Sequence, residues 1–247
     1  MSKWIEGRVV GQTRWTGRLC SLRVRAPFGP FTAGQFTKLA LDIGGERIAR
    51  PYSLVNTPGA EPLEFYYNVV QAGPLSPRLA ALEAGDSVHV APNPAGFLVL
   101  REVPEAENLW LIATGTGLGP FLSILRTDEP WRRFAKVTLV HATRTAADQA
   151  YRDTIGDIAR TRQARFAFVA FVSREPMAGA LAGRVPEAIR DGRLERAAGT
   201  ELGAARSQVM LCGNPAMVSD VTALLEERGM RKHRRRAPGH ITVETYW

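Results

Sequence analysis

The stretch LWLIATGTGLGPFLSILR, residues 109–126, decides the fold of the second half of this chain. It begins with a continuous apolar run, which is typical of a strand buried on both faces of a parallel sheet. A glycine-rich turn follows, and apolar residues then recur at helical spacing. Strand, turn and helix in this order predict an α/β unit whose turn can approach a phosphate closely. The turn reads G-x-G-x-G before Pro120, which is neither the fingerprint G-x-G-x-x-G nor a P-loop. Taken alone, it is equally well explained as a simple chain reversal.

Three more apolar runs alternate with helical patterns after this stretch. They are KVTLVHA (136–142), ARFAFVAFVS (164–173) and SQVMLCG (207–213). The last run leads into a helix for which Asn214 is the expected N-cap and Pro215 the first helical residue. Alternating strands and helices predict a doubly wound parallel sheet over residues 101–247. The polar segment REVPEAEN, 101–108, is interpreted as the linker that precedes it.

Residues 1–100 have a different pattern. Short alternating runs are separated by turn residues about every 8–12 positions, as in strands of an antiparallel barrel or sandwich. The runs are EGRVVGQTRW, GRLCSLRVRA, GQFTKLALDI, RIARPYSLVN and LEFYYNVVQ, and a short helix is expected at LSPRLAAL, 75–82. The predicted fold is therefore an antiparallel β-barrel domain followed by an α/β domain.

The composition restricts the class of protein. The chain of 247 residues has 32 Lys and Arg against 24 Asp and Glu, a net charge of +8, so its surface attracts anionic ligands or an acidic partner. The two distant cysteines, Cys20 and Cys212, exclude a cysteine-ligated iron–sulfur cluster or four-cysteine zinc site within this chain. The four histidines lack metal-ligand spacing, so no metal is expected. Neither a signal peptide nor a membrane-length apolar run is present, and we expect a cytoplasmic protein.

Arginines follow the predicted strands of the second domain. Arg144 and Arg174 end two consecutive strands, and Arg184 comes shortly after. Ligands of open parallel sheets bind at the carboxyl ends of the strands, and guanidinium groups bind phosphate oxygens bidentately. The three arginines therefore predict a site for a phosphate monoester, such as the 2′-phosphate that distinguishes NADPH from NADH. Arginine is abundant in this chain, and its composition alone also places some at strand ends.

The stretch RPYS, 50–53, combines a cation, an aromatic ring and a hydroxyl. These groups suit a flavin, because arginine can neutralise its diphosphate, tyrosine can stack on its ring and serine can bond near N5. On a strand Arg50 and Tyr52 share one face and Ser53 takes the other. Downstream, FYYNVV supplies further tyrosines, and GPLS, 73–76, begins a helix that could take a phosphate. An edge strand with Arg50 and Tyr52 simply on the surface is the alternative.

These motifs together resemble a known family. RPYS, FYYNVV, GPLS, ATGTGLGP (113–120), LCGNPAM (211–217) and the final GHITVETYW are similar in order and spacing to the bacterial type of ferredoxin–NADP+ reductase. The similarity covers essentially the whole chain. It implies an FAD-binding barrel in residues 1–100 and an NADP-binding domain in residues 101–247, with a C-terminal tail that contacts the flavin.

The resemblance also implies site residues. The FAD-binding positions are Arg50, Pro51, Tyr52, Ser53, Tyr66, Gly73, Pro74, Leu75, Ser76 and Thr116. The NADP-binding positions are Thr143, Arg144, Ser173, Arg174, Arg184, Asn214, Pro215 and Asp220. The catalytic set is Tyr52, Ser53, Cys212 and Glu244, with Cys212 beside the nicotinamide and Glu244 a carboxylate near the flavin used in electron and proton transfer. A buried cysteine at a strand end is also common as plain packing.

The C-terminus departs from the plastid members of the family, which end in a single aromatic that covers the flavin. This chain continues past that point and ends in Tyr246 and Trp247. The pair could cover the flavin or stack on the adenine, and we favour Trp247 on the adenine. Anchoring of the tail to the core is compatible with either arrangement.

The implied activity is electron exchange between NADPH, which transfers a hydride, and ferredoxin or flavodoxin, which accept single electrons. The partner is expected to be acidic, with transient and salt-sensitive docking to a monomer, and neither a nucleic acid nor a membrane is an expected partner. The alternatives are the reductase component of an oxygenase and a flavin or ferric-siderophore reductase. A nucleic-acid-binding module, based on RKHRRR at 231–236, leaves the other motifs unexplained.

Overall fold

A computed structural model describes residues 4–244 of the chain. These residues form two compact units. The first comprises the chain up to Val99 together with Gly119–Arg126. The second comprises Leu100–Leu118 and the residues from Thr127 onward. None of the helices within residues 4–244 combines the length and the apolar character that crossing a bilayer requires.

The first unit is built on an antiparallel sheet, as the sequence predicts. Its strands are β1 (Ile5–Arg14), β2 (Leu19–Arg25), β3 (Phe36–Ile43), β4 (Glu46–Ser53), β5 (Leu63–Asn68) and β6 (Ser87–Val90), and its short helix is α1 (Ser76–Ala80). The strand order is β4-β3-β6-β1-β2-β5. A bridge between Leu54 and Phe65 joins the two ends of this order. The sheet therefore closes into a barrel, which leaves fewer unpaired edges.

The second unit is built on a parallel sheet, which confirms the predicted fold class. Its strands are β7 (Asn108–Thr114), β8 (Lys136–Thr143), β9 (Phe166–Val172), β10 (Ala180–Ala182), β11 (Ser207–Cys212) and β12 (Ile241–Glu244). The helices after α1 are α2 (Leu118–Leu125), α3 (Glu129–Arg133), α4 (Arg152–Arg162), α5 (Val185–Arg190), α6 (Arg193–Ala198) and α7 (Pro215–Glu227). The strand order is β10-β9-β8-β7-β11-β12, with every neighbouring pair parallel.

The central strands of this sheet are buried on both faces. All six residues of β11 are buried, as are the first six of β7. The fully buried Trp110 of β7 donates its indole N–H to the carbonyl of Glu201, 3.2 Å away. The order of strands reverses at β7, which lies between β8 and β11 although β11 comes much later in the chain. Such a reversal is where ligands bind in doubly wound sheets.

Several details differ from the sequence-based expectations. Strands β6, β10 and β12 were not among the predicted runs, because they have only four, three and four residues. The expected linker 101–108 is partly regular, since a 3₁₀ turn covers Leu100–Glu102 and Asn108 already belongs to β7. Glu102 also forms an ion pair with Arg235 at 2.8 Å, which holds this segment to the later chain.

The helical segment Gly119–Arg126 lies with the first unit, whereas the sequence assigns it to the second domain. Residues 119–125 are all buried. The hydroxyl of the fully buried Ser123 donates to the carbonyl of Asn56 at 2.8 Å. Burial of this apolar helix against the barrel places it in the first unit, which sequence order does not reveal.

Asn56 organises the loop that receives this helix. Its amide nitrogen donates to the carbonyl of Ala60 at 2.7 Å, and its amide oxygen accepts from the Glu64 N–H at 3.0 Å. The side chain is 4% exposed, so replacing it by alanine leaves backbone groups without partners in a dry site.

We expect Asn56→Ala to lower the free energy of unfolding by about 2–3 kcal/mol, measured by urea denaturation at constant m-value. Thr57→Ala in the same loop is the matched control and should change stability by less than about 0.5 kcal/mol. Equal effects of the two variants would show that the Asn56 amide does not hold the loop.

Candidate functional site

The carboxyl ends of the parallel strands form one edge of the second unit. Because the strands are parallel, every residue that follows a strand emerges on this edge. In strand order the edge carries Arg184, Arg174, Arg144, the turn Gly115–Gly117, the loop Gly213–Asn214 and Glu244. The structure therefore places the predicted NADP-binding residues along one edge, except Asp220, which lies in the second turn of α7.

The arginines lie on neighbouring strand ends. The Arg174 N–H donates to the Arg144 carbonyl at 2.9 Å, so the β8–β9 ladder continues to these two residues. Arg184 lies two residues past Ala182, and Ala182 pairs with Val172, two residues before Arg174. All three side chains are exposed, and within residues 4–244 none of them forms an ion pair. Their positive charge is thus available for a phosphate.

Loop contacts fix the positions of these arginines. A carboxylate oxygen of Glu175 accepts from the Ala146 N–H at 2.6 Å, which ties the loops after β8 and β9 together. The Thr143 hydroxyl donates to the Thr145 carbonyl at 2.9 Å, and the Ser173 hydroxyl donates to the Thr143 carbonyl at 3.3 Å. The predicted residues Thr143 and Ser173 are therefore part of the loop framework. Sequence reasoning missed Glu175, because an acidic residue beside arginines gives no signal of its own.

The glycine turn packs backbone against backbone. Gly115 has φ +51°, and a Cβ on Gly117 would lie 2.4 Å from the carbonyl oxygen of Cys212. A Cβ on Gly213, where φ is +132°, would lie 2.2 Å from the Thr114 hydroxyl. That hydroxyl accepts from the Asn214 N–H at 2.7 Å. The turn Gly115–Gly117 and the loop Gly213–Asn214 therefore pack closely against each other, and we call them together the glycine cradle. Backbone of this kind, at the start of a helix, can approach a phosphate closely.

Helix α7 begins at this cradle, and the predicted N-cap is confirmed. The Asn214 amide oxygen accepts from the N–H groups of Ala216 at 2.9 Å and Met217 at 3.4 Å, and Pro215 is the first helical residue. Asn214, Pro215 and Asp220 are all exposed. The cap and the helix dipole favour an anionic ligand at this end of the helix.

Cys212 and Glu244 are neighbours on adjacent strands. They are register partners where β11 pairs with β12, and Cys212 also pairs with Ala113 of β7. Cys212 is fully buried, and Glu244 is half-buried. The structure therefore places the two predicted catalytic residues of this unit side by side at its carboxyl edge.

The RPYS stretch forms the end of β4 in the first unit. Arg50 is exposed, Pro51 and Tyr52 are half-buried and Ser53 is buried, which fits the predicted alternation of faces. The ring of Tyr52 packs edge-on against Tyr67, with centroids 5.8 Å apart. Burial raises the pKa of Tyr52 to about 12, so its phenol stays protonated at neutral pH.

Gln12 connects this tyrosine pair to α1. The Tyr67 hydroxyl donates to the Gln12 side-chain oxygen at 2.9 Å, and the Gln12 nitrogen donates to the carbonyls of Leu79 and Leu82 at 2.7 and 2.8 Å. Burial also raises the pKa of Tyr67. Sequence reasoning missed Gln12, because a glutamine on a half-exposed strand is indistinguishable from a surface residue.

The GPLS motif precedes α1 and is closed by local hydrogen bonds. The Gly73 N–H donates to the Val70 carbonyl at 2.8 Å, and the Ser76 hydroxyl accepts from the Val70 N–H at 2.9 Å. Leu75 is buried and Pro74 is exposed. The helix begins at Ser76, one residue later than predicted. The Ser76 hydroxyl keeps its hydrogen for a further acceptor.

Tyr66 and Ser53 lie against the start of the helix that joins the first unit. A Cβ on Gly119 would lie 3.7 Å from the Cβ of Ser53 and 4.0 Å from that of Tyr66. Tyr66 and Ser53 are both buried, at 3% and 8% exposure. Thr116 is half-buried in the glycine turn of the second unit. Tyr246 and Trp247 lie outside the described residues.

His141 contacts the glycine turn, and sequence reasoning did not identify this contact. It is fully buried in β8, and its Nε2 lies 3.0 Å from the carbonyl oxygen of Gly115. Burial lowers the pKa of His141 to about 4, against a smaller opposing effect of the Gly115 bond, so the ring is neutral at pH 7. The available signal was the one titratable side chain inside the mostly apolar run VTLVHAT.

Comparison with known proteins identifies the class of this chain. Residues 111–223 match the family described as "Oxidoreductase NAD-binding domain". A protein of Shigella flexneri named flavodoxin/ferredoxin–NADP reductase is 51% identical over 248 residues, with 100% of each chain covered. A protein of the same name from Escherichia coli (strain K12) is 50% identical with the same coverage.

A solved structure agrees with these relatives. The crystal structure of a ferredoxin NADP+ reductase from Neisseria gonorrhoeae with bound FAD and NADP superposes with a TM-score of 0.94, 32% identity and full coverage of both chains. The chain belongs to the flavodoxin/ferredoxin–NADP reductase family, which confirms the resemblance seen in its motifs.

The buried His141 predicts a pH dependence of stability. The ordinary histidine pKa is 6.5, and the folded pKa is about 4, so between these values only the unfolded chain binds the proton. The contribution of His141 to stability is thus complete above pH 6.5 and falls as the pH drops toward 4, by about 1.4 kcal/mol per pH unit.

We expect the unfolding free energy of His141→Gln to fall less steeply than that of wild type between pH 6.5 and 4.5. Urea denaturation at three pH values in this window measures both slopes, and the other titrating groups cancel in the comparison. Identical slopes would contradict a neutral buried imidazole.

Proposed function

We propose that this chain is an FAD-dependent oxidoreductase that exchanges electrons between NADPH and ferredoxin or flavodoxin. The observation that carries the proposal is the carboxyl edge of the second unit, where the exposed Arg144, Arg174 and Arg184 follow strands beside the glycine turn. Family membership supports the same activity, because the relatives are named flavodoxin/ferredoxin–NADP reductases and the similar structure holds FAD and NADP. FAD, when bound, supplies the two-electron and one-electron chemistry that amino-acid side chains lack.

The residues of the first unit fit FAD by their chemistry. The exposed Arg50 guanidinium donates a hydrogen bond to the Ala49 carbonyl at 2.7 Å and would neutralise the diphosphate. Tyr52 would stack on the flavin ring, held in place by Tyr67. Ser53 would hydrogen-bond near the reacting edge of the ring. The full proposed FAD-binding set is Arg50, Pro51, Tyr52, Ser53, Tyr66, Gly73, Pro74, Leu75, Ser76 and Thr116, with Tyr246 and Trp247 from the tail.

The residues of the second unit fit NADPH in the same way. Arg144, Arg174 and Arg184 would bind the 2′-phosphate. The glycine cradle and the first residues of α7 would bind the diphosphate. The full proposed set is Thr143, Arg144, Ser173, Arg174, Arg184, Asn214, Pro215 and Asp220. We assign these roles to the unit 100–118 and 127–247, and the FAD-binding barrel to the unit 1–99 and 119–126.

Two residues at the carboxyl edge complete the proposed catalytic set with Tyr52 and Ser53. Cys212 would form one side of the nicotinamide site. Its small, fully buried side chain would limit the orientations that the nicotinamide ring can take. Glu244, half-buried beside it, would hold or release a proton. Both act by orientation and charge, while the bound groups carry the electrons.

Preference for NADPH over NADH separates this function from that of an NADH-dependent oxygenase reductase or flavin reductase. Purified protein should show a flavin spectrum that NADPH bleaches anaerobically and NADH bleaches poorly. Arg174→Ala should raise the KM for NADPH about tenfold or more with little change for NADH, because a charge-assisted bond contributes about 1.5–3 kcal/mol.

Arg190→Ala is the control for this measurement, since Arg190 is also an exposed arginine of the second unit but lies at the end of α5. It should leave both KM values unchanged. Equal bleaching by the two nucleotides would move the function toward the NADH-dependent reductases, and a protein that takes up no FAD would overturn the proposal.

We further propose that the partner docks transiently on a basic surface of a monomeric, cytoplasmic protein. The net charge of +8 supports an acidic partner, because complementary charge accelerates weak association. The chain contains two cysteines, Cys20 and Cys212, and so small a number is usual for a protein of a reducing compartment.

The docking proposal predicts a dependence on ionic strength. The rate of electron transfer to an acidic flavodoxin or ferredoxin should fall severalfold as salt rises from about 0.05 M to about 0.5 M, since added ions screen the attraction. A small uncharged quinone as acceptor is the control and should show little change. A flat profile with the protein acceptor would contradict electrostatic docking.

A further inference from the structure

The buried imidazole of His141 contacts the glycine turn, Gly115–Gly117. His141 is 0% exposed and lies in β8, beside Ala113 of β7. Its Nε2 is 3.0 Å from the carbonyl oxygen of Gly115, the first residue of the turn. A neutral imidazole that donates through Nε2 satisfies this carbonyl. The hydrogen bond from His141 therefore joins the buried strand β8 to the glycine turn at the carboxyl edge of the sheet.

This hydrogen bond sets the direction of one peptide plane. The Gly115 carbonyl also accepts from the Leu118 N–H, so two donors hold it. In a planar trans peptide the C=O and the following N–H point in opposite directions. With the Gly115 carbonyl directed at His141, the Thr116 N–H points away from the imidazole. Gly115 itself has φ +51°, a conformation in which the turn needs glycine.

The backbone around His141 is held by further buried polar bonds. The Gln149 amide nitrogen donates to the His141 carbonyl at 3.2 Å, to the Thr143 hydroxyl at 3.0 Å and to the Phe171 carbonyl at 3.1 Å. These bonds join the ends of β8 and β9, from which Arg144 and Arg174 emerge. The hydrogen bonds of Gln149 and His141 thus support both the glycine turn and the strand ends that carry Arg144 and Arg174.

We propose that His141 is a positioning residue for nucleotide binding, which holds the Gly115–Thr116 peptide in the orientation that NADP(H) requires. The inference rests on the proposed function, because it takes the glycine cradle as the nucleotide site. A plain packing role is the competing explanation. It predicts effects on stability but none on NADP+ affinity.

The test compares three variants of the holoenzyme by calorimetric titration with NADP+. His141→Leu removes the donor, and we expect the Kd for NADP+ to rise about five- to tenfold, as for the loss of one hydrogen bond. His141→Gln keeps a nitrogen donor at a similar reach and should restore affinity to within about twofold of wild type. In steady state, the KM for NADPH should rise more than kcat falls in His141→Leu.

Thr138→Val is the matched control. Thr138 is also fully buried in β8, and its hydroxyl has no hydrogen-bond partner among residues 4–244. This variant removes a buried polar group from the same strand without touching the turn, so its Kd should equal that of wild type. If His141→Leu also binds NADP+ as wild type does, the inference is overturned and His141 is a packing residue.

A measurement on wild type keeps the inference testable if His141→Leu does not fold. In ¹⁵N-histidine-labelled protein we expect the neutral Nε2-protonated tautomer for His141 and a change of its resonance when NADP+ is added. The Nδ1-protonated tautomer, or a resonance insensitive to NADP+, would overturn the inference. Wild-type protein that fails to bind NADP+ at all would instead refute the proposed function itself, so the two failures are distinguishable.

Discussion

The second unit depends on one close approach, in which the backbone of Gly117 lies against the carbonyl of Cys212. A methyl group at position 117 would be 2.4 Å from that oxygen, so the two strand ends meet without side chains between them. This contact lies where β7 neighbours β11, which is where the strand order reverses. At the reversal, backbone therefore packs against backbone, and the polar residues of the edge lie on either side of this contact. In α/β sheets a backbone surface of this kind suits a phosphate. Peptide N–H groups bind anions through their partial charges, so no fully charged side chain has to be desolvated.

The chemistry of the edge follows from the parallel ladder. Arg144 and Arg174 are thirty residues apart in the chain, yet the ladder past β8 and β9 makes them neighbours. No interaction between the two side chains is needed, since the sheet fixes their spacing. The buried strands beneath them hold the two arginines on neighbouring strand ends. Their positive charges are therefore available for the proposed phosphate site.

Much of this arrangement was predictable from the sequence because it rests on local patterns. Continuous apolar runs located β7, β8, β9 and β11, and the Asn-Pro pair located the start of α7. Residues directly after those runs had to lie on one edge, which is why the arginines could be grouped before the structure was known. RPYS was likewise placed correctly at the end of a strand, with Ser53 turned inward and Arg50 outward.

The remaining features depend on contacts between distant segments. Gln12 and His141 are polar residues within strands, and their roles are decided by which carbonyl lies opposite in the folded chain. Short strands such as β10 carry too few residues for a pattern. Such hydrogen bonds produce no pattern in the sequence. One partner in each is a backbone carbonyl, which every residue has.

The assignment of Gly119–Arg126 to the first unit has a consequence for biosynthesis. The chain completes the barrel strands by Val90, but the segment Gly119–Arg126 of that unit is complete only 36 residues later (126 − 90), and its residues 119–125 are buried. A truncated chain that stops at Val99 would lack this segment and leave its apolar seat open to water. The barrel therefore cannot finish its core on the ribosome until β7 and the glycine turn have also emerged, so translation of the two units is interleaved and no single cut in the chain separates them.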